Sequence, residues 1–327
     1  MVIALIFLVF FGLLFAGIPI VTAMGLTTLF PLVVDLGIRV PYKVDTIIRW
    51  AVQGADSIPI IAIPLFVLAG VVMARGDISN KLYDVFAFFL GKMTAGLPIA
   101  AIITALFYGA ISGSGVATAA AVGGMSIPLL TSLGYDKRFV AAMVATAGGL
   151  GVIIPPSIPF VMYGMMTQTS VGDIFVAGII PGFLIAGSLM IYTFYYCKKN
   201  GEDRVKIDAV VDKLRKKGLF KVLRESFWAL MSPVIILGGI YSGYFTPTEA
   251  AAVSVVYSLV VSLFIYRTIQ VKEIPSIFST AVSQYGPLVM LLAIAMAFSR
   301  MITVLRGAEI VGGFVTDFIS TPFMLLL

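Results

Sequence analysis

Residues 93–135 contain no charged side chain. The run is about twice the length of a membrane helix of roughly 20 apolar residues. Other charge-free stretches cover 1–34, 57–74, 139–172, 174–197, 226–248, 250–266 and 274–299. Of the 327 residues, 12% are charged and 60% hydrophobic, whereas a soluble domain carries about 25% charged residues. Too little polar surface exists to coat a water-soluble fold of this length, so lipid must cover part of it. Hydropathy alone predicts about eight or nine membrane-embedded blocks in an all-α, polytopic membrane protein.

Residues 1–34 lack a basic leader and a small-residue cleavage site. They read as a retained membrane segment, bent at Pro19 and again at Pro31, rather than a signal peptide. The first charge is Asp35. Residues 41–53, with Lys43, Asp45 and Arg49, suit a helix lying in the interface. So do residues 78–92, where Ile78, Leu82, Val85, Phe86, Phe89 and Leu90 share one helical face.

The net charge of +6 comes largely from one place, since ten of the 22 Lys and Arg fall within 198–224. That clustering fits the positive-inside rule acting on a cytoplasmic loop, with anionic lipid as a secondary ligand. Nucleic acid is a poor partner for a chain embedded in lipid. Placing each basic cluster from Arg75 to Lys272 on one side gives a consistent topology; Arg39, Lys43 and Arg49 fall outside or in the interface. A lone Cys197 offers neither a disulfide nor a metal cluster. The absence of histidine removes the commonest general base and metal ligand.

Two interruptions stand inside the long apolar runs. The middle of 93–135 reads Ser112-Gly113-Ser114-Gly115, a helix-breaking sequence. Its two arms fit either two full spans or a re-entrant hairpin. Residues 148–157 (GGLGVIIPPS) form the second. The helix before Gly148 spans about ten residues, or about 15 Å, half of a bilayer core of about 30 Å. Pro155 and Pro156 lack amide hydrogens and disfavour helix before them. Non-helical backbone is therefore expected from Gly148 to Ser157 at mid-depth.

Such backbone must be buried in protein or line a cavity. Helix C-termini favour cations and N-termini favour anions. Carbonyls together with the Ser112, Ser114 and Ser157 hydroxyls thus offer a Na⁺ site that needs no carboxylate. The competing reading is that these glycines serve only close helix packing. Proton coupling has less support, because 93–135 and 139–172 hold no acid. Glu249, in Thr246-Pro247-Thr248-Glu249, suits a capping box with Thr246. Asp56 is expected at the interface. No GxSxG, HExxH, CxxC or P-loop is present.

At four stretches the chain resembles the large membrane subunit of tripartite ATP-independent periplasmic (TRAP) transporters, the DctM-like family. They are 56–70 (DSIPIIAIPLFVLAG, with Ser57 and Pro59), 109–118 (GAISGSGVAT), 154–159 (IPPSIP) and 244–252 (YFTPTEAAA). The resemblance implies an elevator-type secondary transporter of the bacterial inner membrane. Such a fold has two inverted repeats, each with a hairpin and a broken helix. It implies a small four-helix membrane subunit and a periplasmic solute-binding protein as partners. Na⁺, the coupling ion in place of any organic cofactor, would drive uptake of an organic acid anion such as a C4-dicarboxylate or sialic acid.

By this analogy Ser112, Gly113 and Ser114 form the hairpin tip, and Gly148, Gly149, Gly151, Pro155, Pro156 and Ser157 the broken helix. Both would line a Na⁺ site, with Ser114 and Ser157 also meeting substrate. The expected segments are 1–56, an N-terminal membrane segment with an interfacial helix; 57–197, a first repeat with hairpin 93–135 and broken helix 139–168; 198–226, the basic cytoplasmic loop; and 227–327, the start of a second repeat. Only one Pro-Pro break is present, and the chain stops within an apolar run at 324–327. A C-terminal truncation is therefore expected. A stand-alone ion-coupled carrier is the alternative transporter reading, separable by whether neighbouring genes encode a receptor and a four-helix protein. A membrane enzyme would show paired acids or a His-based motif, and a scaffold would not need helices broken at mid-depth.

Overall fold

A computed structural model of the chain describes residues 2–34, 40–56 and 58–318. Asp35, Arg39, Ser57 and residues 324–327, which figure in the sequence argument, lie outside the described residues. Among the described residues the structure is helical, with no strand. In chain order the helices are α1 (Val2–Phe15), α2 (Ile20–Val33), α3 (Val44–Ala55), α4 (Ala62–Arg75), α5 (Ile78–Leu90), α6 (Gly96–Ser112), α7 (Gly115–Ser132) and α8 (Lys137–Gly148). They continue with α9 (Leu150–Ile153), α10 (Ile158–Thr167), α11 (Val171–Asn200), α12 (Arg204–Lys216), α13 (Leu219–Tyr241), α14 (Pro247–Val260), α15 (Ile274–Val304) and α16 (Gly307–Phe318).

Among the described residues, six helical stretches are long and apolar enough to cross a membrane, or seven if α4 and α5, bent by 66° at Gly76–Asp77, count as one span. Helices α1, α2 and α6 are apolar but shorter. Along α11, Ile180, Phe183, Leu184 and Ile191 fall on one face and are 58–72% exposed. So broad an unburied apolar face needs a lipid solvent. The ends of α11 suit that role. The Ser170 hydroxyl accepts from the Asp173 amide, Asp173 lies in the first turn, and Lys198 and Lys199 lie in the last, so charge complements the dipole at both ends.

The chain forms two compact units, residues 1–57 with 286–327, and residues 58–285. These group the segments differently from the four read from sequence. In the first unit, Ile3, Ile6, Tyr42, Ile47, Ala297, Phe298 and Met301 make the core. Residues 1–34 are not one bent span. They are two helices packed on each other, joined at Gly17, whose φ of +82° and amide bond to the Leu14 carbonyl end α1. Pro31 sits inside the last turn of α2 without ending it. Helix α3 confirms a helical 44–55, with Thr46 Oγ1 accepting from the Lys43 amide at 3.4 Å.

In the second unit the most extensive helix pair is α4 with α14. Ala250, Ser254 and Ser258 recur every fourth residue and are fully buried, the small-residue spacing that lets membrane helices approach closely. Helix α5 is not a strut lying on lipid. Ile78, Leu82 and Val85 are buried in protein together with Tyr83 and Ala87, because the helix packs between α6 and α13. Phe89 alone of the expected apolar face is largely exposed, at 52%. The basic segment 198–226 is mostly helical rather than loop, being the end of α11, all of α12 and the start of α13. Its charges reach α5 and the turn after it: Lys217 pairs with Asp84 at 3.7 Å, Lys81 with Glu225 at 3.8 Å, and Lys92, past the end of α5, with Asp212 at 2.9 Å.

Candidate ion-coupling site

Helix α6 ends at Ser112 because Gly113 adopts a left-handed conformation, φ +62°, and its amide closes on the Gly109 carbonyl at 3.0 Å. Helix α7 restarts at Gly115, after two intervening residues, with the Ser114 hydroxyl accepting from the Ala117 amide at 3.3 Å. The two arms of 93–135 are thus α6 and α7, packed on each other with their break at 113–114.

The second break is shorter than the sequence suggests. Gly149 stays in the right-handed helical region, α9 follows at once, and helix persists to Ile153. Glycine costs about 1 kcal/mol in a helix but does not end it. What ends it is Pro155-Pro156, joined by a cis peptide bond. Ile154 and Ser157 are extended. Ser157 then caps α10, its hydroxyl accepting from the Phe160 amide at 3.4 Å and donating to the Val152 carbonyl.

The two breaks meet. The Ile158 amide donates to the Gly113 carbonyl at 3.3 Å. Glycines set the spacing, since a Cβ at Gly151 would lie 2.3 Å from Thr118 Oγ1 and 2.9 Å from the Ser114 carbonyl oxygen. A Cβ at Gly109 would meet the Gly151 backbone at 2.6 Å, and one at Gly113 the Pro156 carbonyl oxygen at 3.0 Å. Gly148 closes on Ala119 of α7 in the same way. Of the hairpin-tip and broken-helix residues picked from sequence, Gly149 alone points away. It is exposed, and a Cβ there would meet only the Thr146 carbonyl of its own helix within 4 Å.

The result is a convergence of four helix ends: the C-termini of α6 and α9, and the N-termini of α7 and α10. Ser112 and Ser157 are fully buried, and Ser114 is half-buried. Thr118 gives its proton to the Ser114 carbonyl at 2.8 Å, so in the 3.0 Å contact between Ser112 Oγ and Thr118 Oγ1 the serine is the donor. Each of these hydroxyl oxygens retains lone-pair capacity. Among the described residues the Pro155 and Pro156 carbonyls accept no hydrogen bond. No group of three His, Cys, Asp or Glu gathers among the described residues, so the oxygens at this junction are carbonyls and hydroxyls. Residues 154–158 are all buried, so the break sits in the protein interior and not against acyl chains.

Thr118 closes the 109–118 stretch that carries the resemblance but was not picked as a site residue; its spacing of four from Ser114 is the signal that could have found it. Glu202 was also missed. Its side chain is 3% exposed and binds Arg204 at 2.6 Å. It accepts from the Tyr135 hydroxyl at 2.6 Å and the Ala95 amide at 2.9 Å. Arg204 also donates to the Lys92 and Met93 carbonyls and to Thr94 Oγ1. Both feet of the α6–α7 hairpin are thereby clasped by the segment after α11. Burial, then the Glu202 carboxylate, pushes the Tyr135 phenol well above its usual range, so it remains a donor. Thr246 and Glu249 lie away from the junction in the sequence of helices and form a closed capping box: the Thr246 amide donates to Glu249 Oε2 at 2.8 Å, and the Glu249 amide to Thr246 Oγ1 at 3.3 Å.

Residues 7–327 match the family described as "Tripartite ATP-independent periplasmic transporter, DctM component". The isethionate TRAP transporter permease protein DctMQ of Oleidesulfovibrio alaskensis is 38% identical over 316 residues, 95% of this chain and 48% of that protein. The C4-dicarboxylate TRAP transporter large permease protein DctM of Pseudomonas aeruginosa is 38% identical over 84% of this chain and 63% of its own length. The sialic acid TRAP transporter large permease protein SiaM of Vibrio cholerae is 30% identical over 97% and 72% respectively. The chain spans about half of the first of these relatives and under two thirds of the second. The match runs through the hairpin, the Pro-Pro break and the capped α14 alike, and it makes the chain a multi-pass membrane protein of the DctM family of TRAP transporters.

Proposed function

We propose that the chain forms the ion-coupling half of the large permease of a Na⁺-driven TRAP transporter that imports an organic acid anion across the bacterial inner membrane. The single observation that carries this reading is the meeting of two helix C-termini, at Ser112 and Ile153, beside the Pro155 and Pro156 carbonyls, which accept no hydrogen bond among the described residues. Partial negative charge accumulates at helix C-termini, and a buried carbonyl without a donor is costly unless a cation or water serves it. Na⁺ fits that donor set of neutral oxygens. The opposed N-termini of α7 and α10, opened by Ser114 and Ser157, supply partial positive charge for a substrate carboxylate or sulfonate.

Relatives named for isethionate, C4-dicarboxylate and sialic acid support an organic anion as cargo. Family membership supports a small membrane subunit and a periplasmic solute-binding protein as partners, and elevator motion of the hairpin and broken helix as the transport step. Proteoliposomes holding the permease with these partners test the reading. Uptake of a ¹⁴C-labelled organic anion should require an inward Na⁺ gradient and fall at least tenfold with Ser112→Ala plus Ser157→Ala. Uptake that is indifferent to Na⁺ and to these substitutions overturns it.

A further inference from the structure

A cleft of about 830 Å³ lies where α5 and the N-terminal end of α13 approach the turn after α14. Lys81, Phe220, Lys221, Arg224, Trp228 and Tyr266 are among its walls. Its two acids are already engaged, Asp77 by the Asn80 amide and Glu225 by Lys81 at 3.8 Å. Lys221 and Arg224 have no carboxylate and no hydrogen-bond acceptor among the described residues. They also sit in the opening turns of a helix whose first turn holds no acid, where the macrodipole opposes cations. An anion in the cleft would offset both costs.

The surroundings say which anion. Helix α13 begins at Leu219 and is itself long and apolar enough to cross the membrane. Lys221, Arg224 and Trp228 follow at spacings of three and four, so they share a face, with Trp228 about 10 Å deeper than Lys221 along the axis. Phe220 and Ile265, which line the cleft with them, are 81% and 38% exposed, and Phe264, next to Ile265 in the chain, is 69% exposed. Cations at the rim, an aromatic below and exposed apolar side chains alongside match a phospholipid taken from headgroup to upper acyl chain. A guanidinium and an ammonium recognise a phosphate diester as a fork and a point charge.

We infer that this cleft is a binding site for an anionic phospholipid, its phosphate held by Arg224 and Lys221 and its chain laid past Trp228 and Ile265. The site is separate from the hairpin junction and does not depend on the transport reading. Trp50 and Trp228 are the only two tryptophans, so a Trp50→Phe background makes Trp228 a reporter. The chain is reconstituted with phosphatidylcholine and titrated with acyl-brominated phosphatidylglycerol or acyl-brominated phosphatidylcholine. Half-maximal quenching of Trp228 should need about tenfold less phosphatidylglycerol than phosphatidylcholine. Lys221→Gln with Arg224→Gln, both at exposed positions, should bring the two curves together.

Counts of retained phosphatidylglycerol and phosphatidylcholine adducts in native mass spectra of the unsubstituted chain give the same comparison if the Trp50→Phe background does not fold. Equal quenching or retention of the two lipids, or a preference that survives the double substitution, overturns the inference. So does displacement of phosphatidylglycerol by millimolar inorganic phosphate, which would make the cleft a free-anion site.

Discussion

The Thr118 hydroxyl donates to the Ser114 carbonyl at 2.8 Å and takes up the Ser112 hydroxyl at 3.0 Å, so one side chain of α7 closes the hairpin tip on itself. Thr118→Val keeps the shape and removes both bonds, leaving the buried Ser112 hydroxyl only its longer, 3.4 Å approach to the Ser114 carbonyl. The expected loss is about 1–3 kcal/mol, read as a lower unfolding temperature in detergent, and Thr118→Ser should recover most of it. A valine variant as stable as the parent would show that the tip is held by other means.

Close approach of the two breaks depends on glycines that face each other. Gly151→Ala would drive a methyl into Thr118 and the Ser114 carbonyl, where backbone cannot yield cheaply. A destabilisation of about 1–3 kcal/mol follows. Gly124, in the same hairpin, has open space around it, and Gly124→Ala should be neutral or stabilising by up to about 1 kcal/mol through helix propensity. Thermal unfolding of the pair side by side checks the contrast, and equal behaviour would contradict the tight crossing.

Glu202 is the acceptor on which the hairpin's feet converge. Glu202→Ala strands the Ala95 amide, the Tyr135 hydroxyl and Arg204 together, at a cost of about 3 kcal/mol, the lower end for one partner removed from a buried pair, since Arg204 is partly exposed. Hydrogen exchange at the Ala95 amide should speed up by at least tenfold, while exchange in α11 stays as it was. Unchanged protection at Ala95 would mean the clasp does not hold the hairpin.

Thr246 and Glu249 satisfy each other's amides at the start of α14. Thr246→Ala should cost about 1 kcal/mol, and Glu249→Gln less, because an amide oxygen still reaches the Thr246 amide. Neither substitution should alter ion dependence, and a shift in Na⁺ response with Glu249→Gln would assign that carboxylate a coupling role instead.

What was legible in the sequence was local. Charge-free runs gave the membrane class, Ser112–Gly115 the helix interruption, and Thr246-Pro247-Thr248-Glu249 a helix start, since each depends on residues within a turn or two. The extent of the second break was misjudged. Gly148, Gly149 and Gly151 look like helix breakers, yet two of them are there for close packing across α7, and only the Pro-Pro step departs from helix. Residues 78–90 misled for a related reason. An apolar helical face has the same spacing whether lipid or a neighbouring helix covers it, and here α6 and α13 do. Glu202 gains its partners Ala95 and Tyr135 only when distant segments meet, so nothing in the linear order marked it. Thr118 bonds locally to Ser114 and Ser112, and its role depends on a hairpin turn that residue types alone do not fix.

The central claim is that the oxygens between the hairpin tip and the Pro-Pro break bind Na⁺. Its most direct test is thermal unfolding of the purified chain in NaCl, KCl and choline chloride at equal ionic strength. Na⁺ alone should raise the unfolding temperature in a saturable way, with about 2.7 kcal/mol of stabilisation at a hundredfold excess over Kd. Ser112→Ala with Ser157→Ala should abolish the response. Identical unfolding in the three salts, or a Na⁺ response that the double substitution leaves intact, would contradict it.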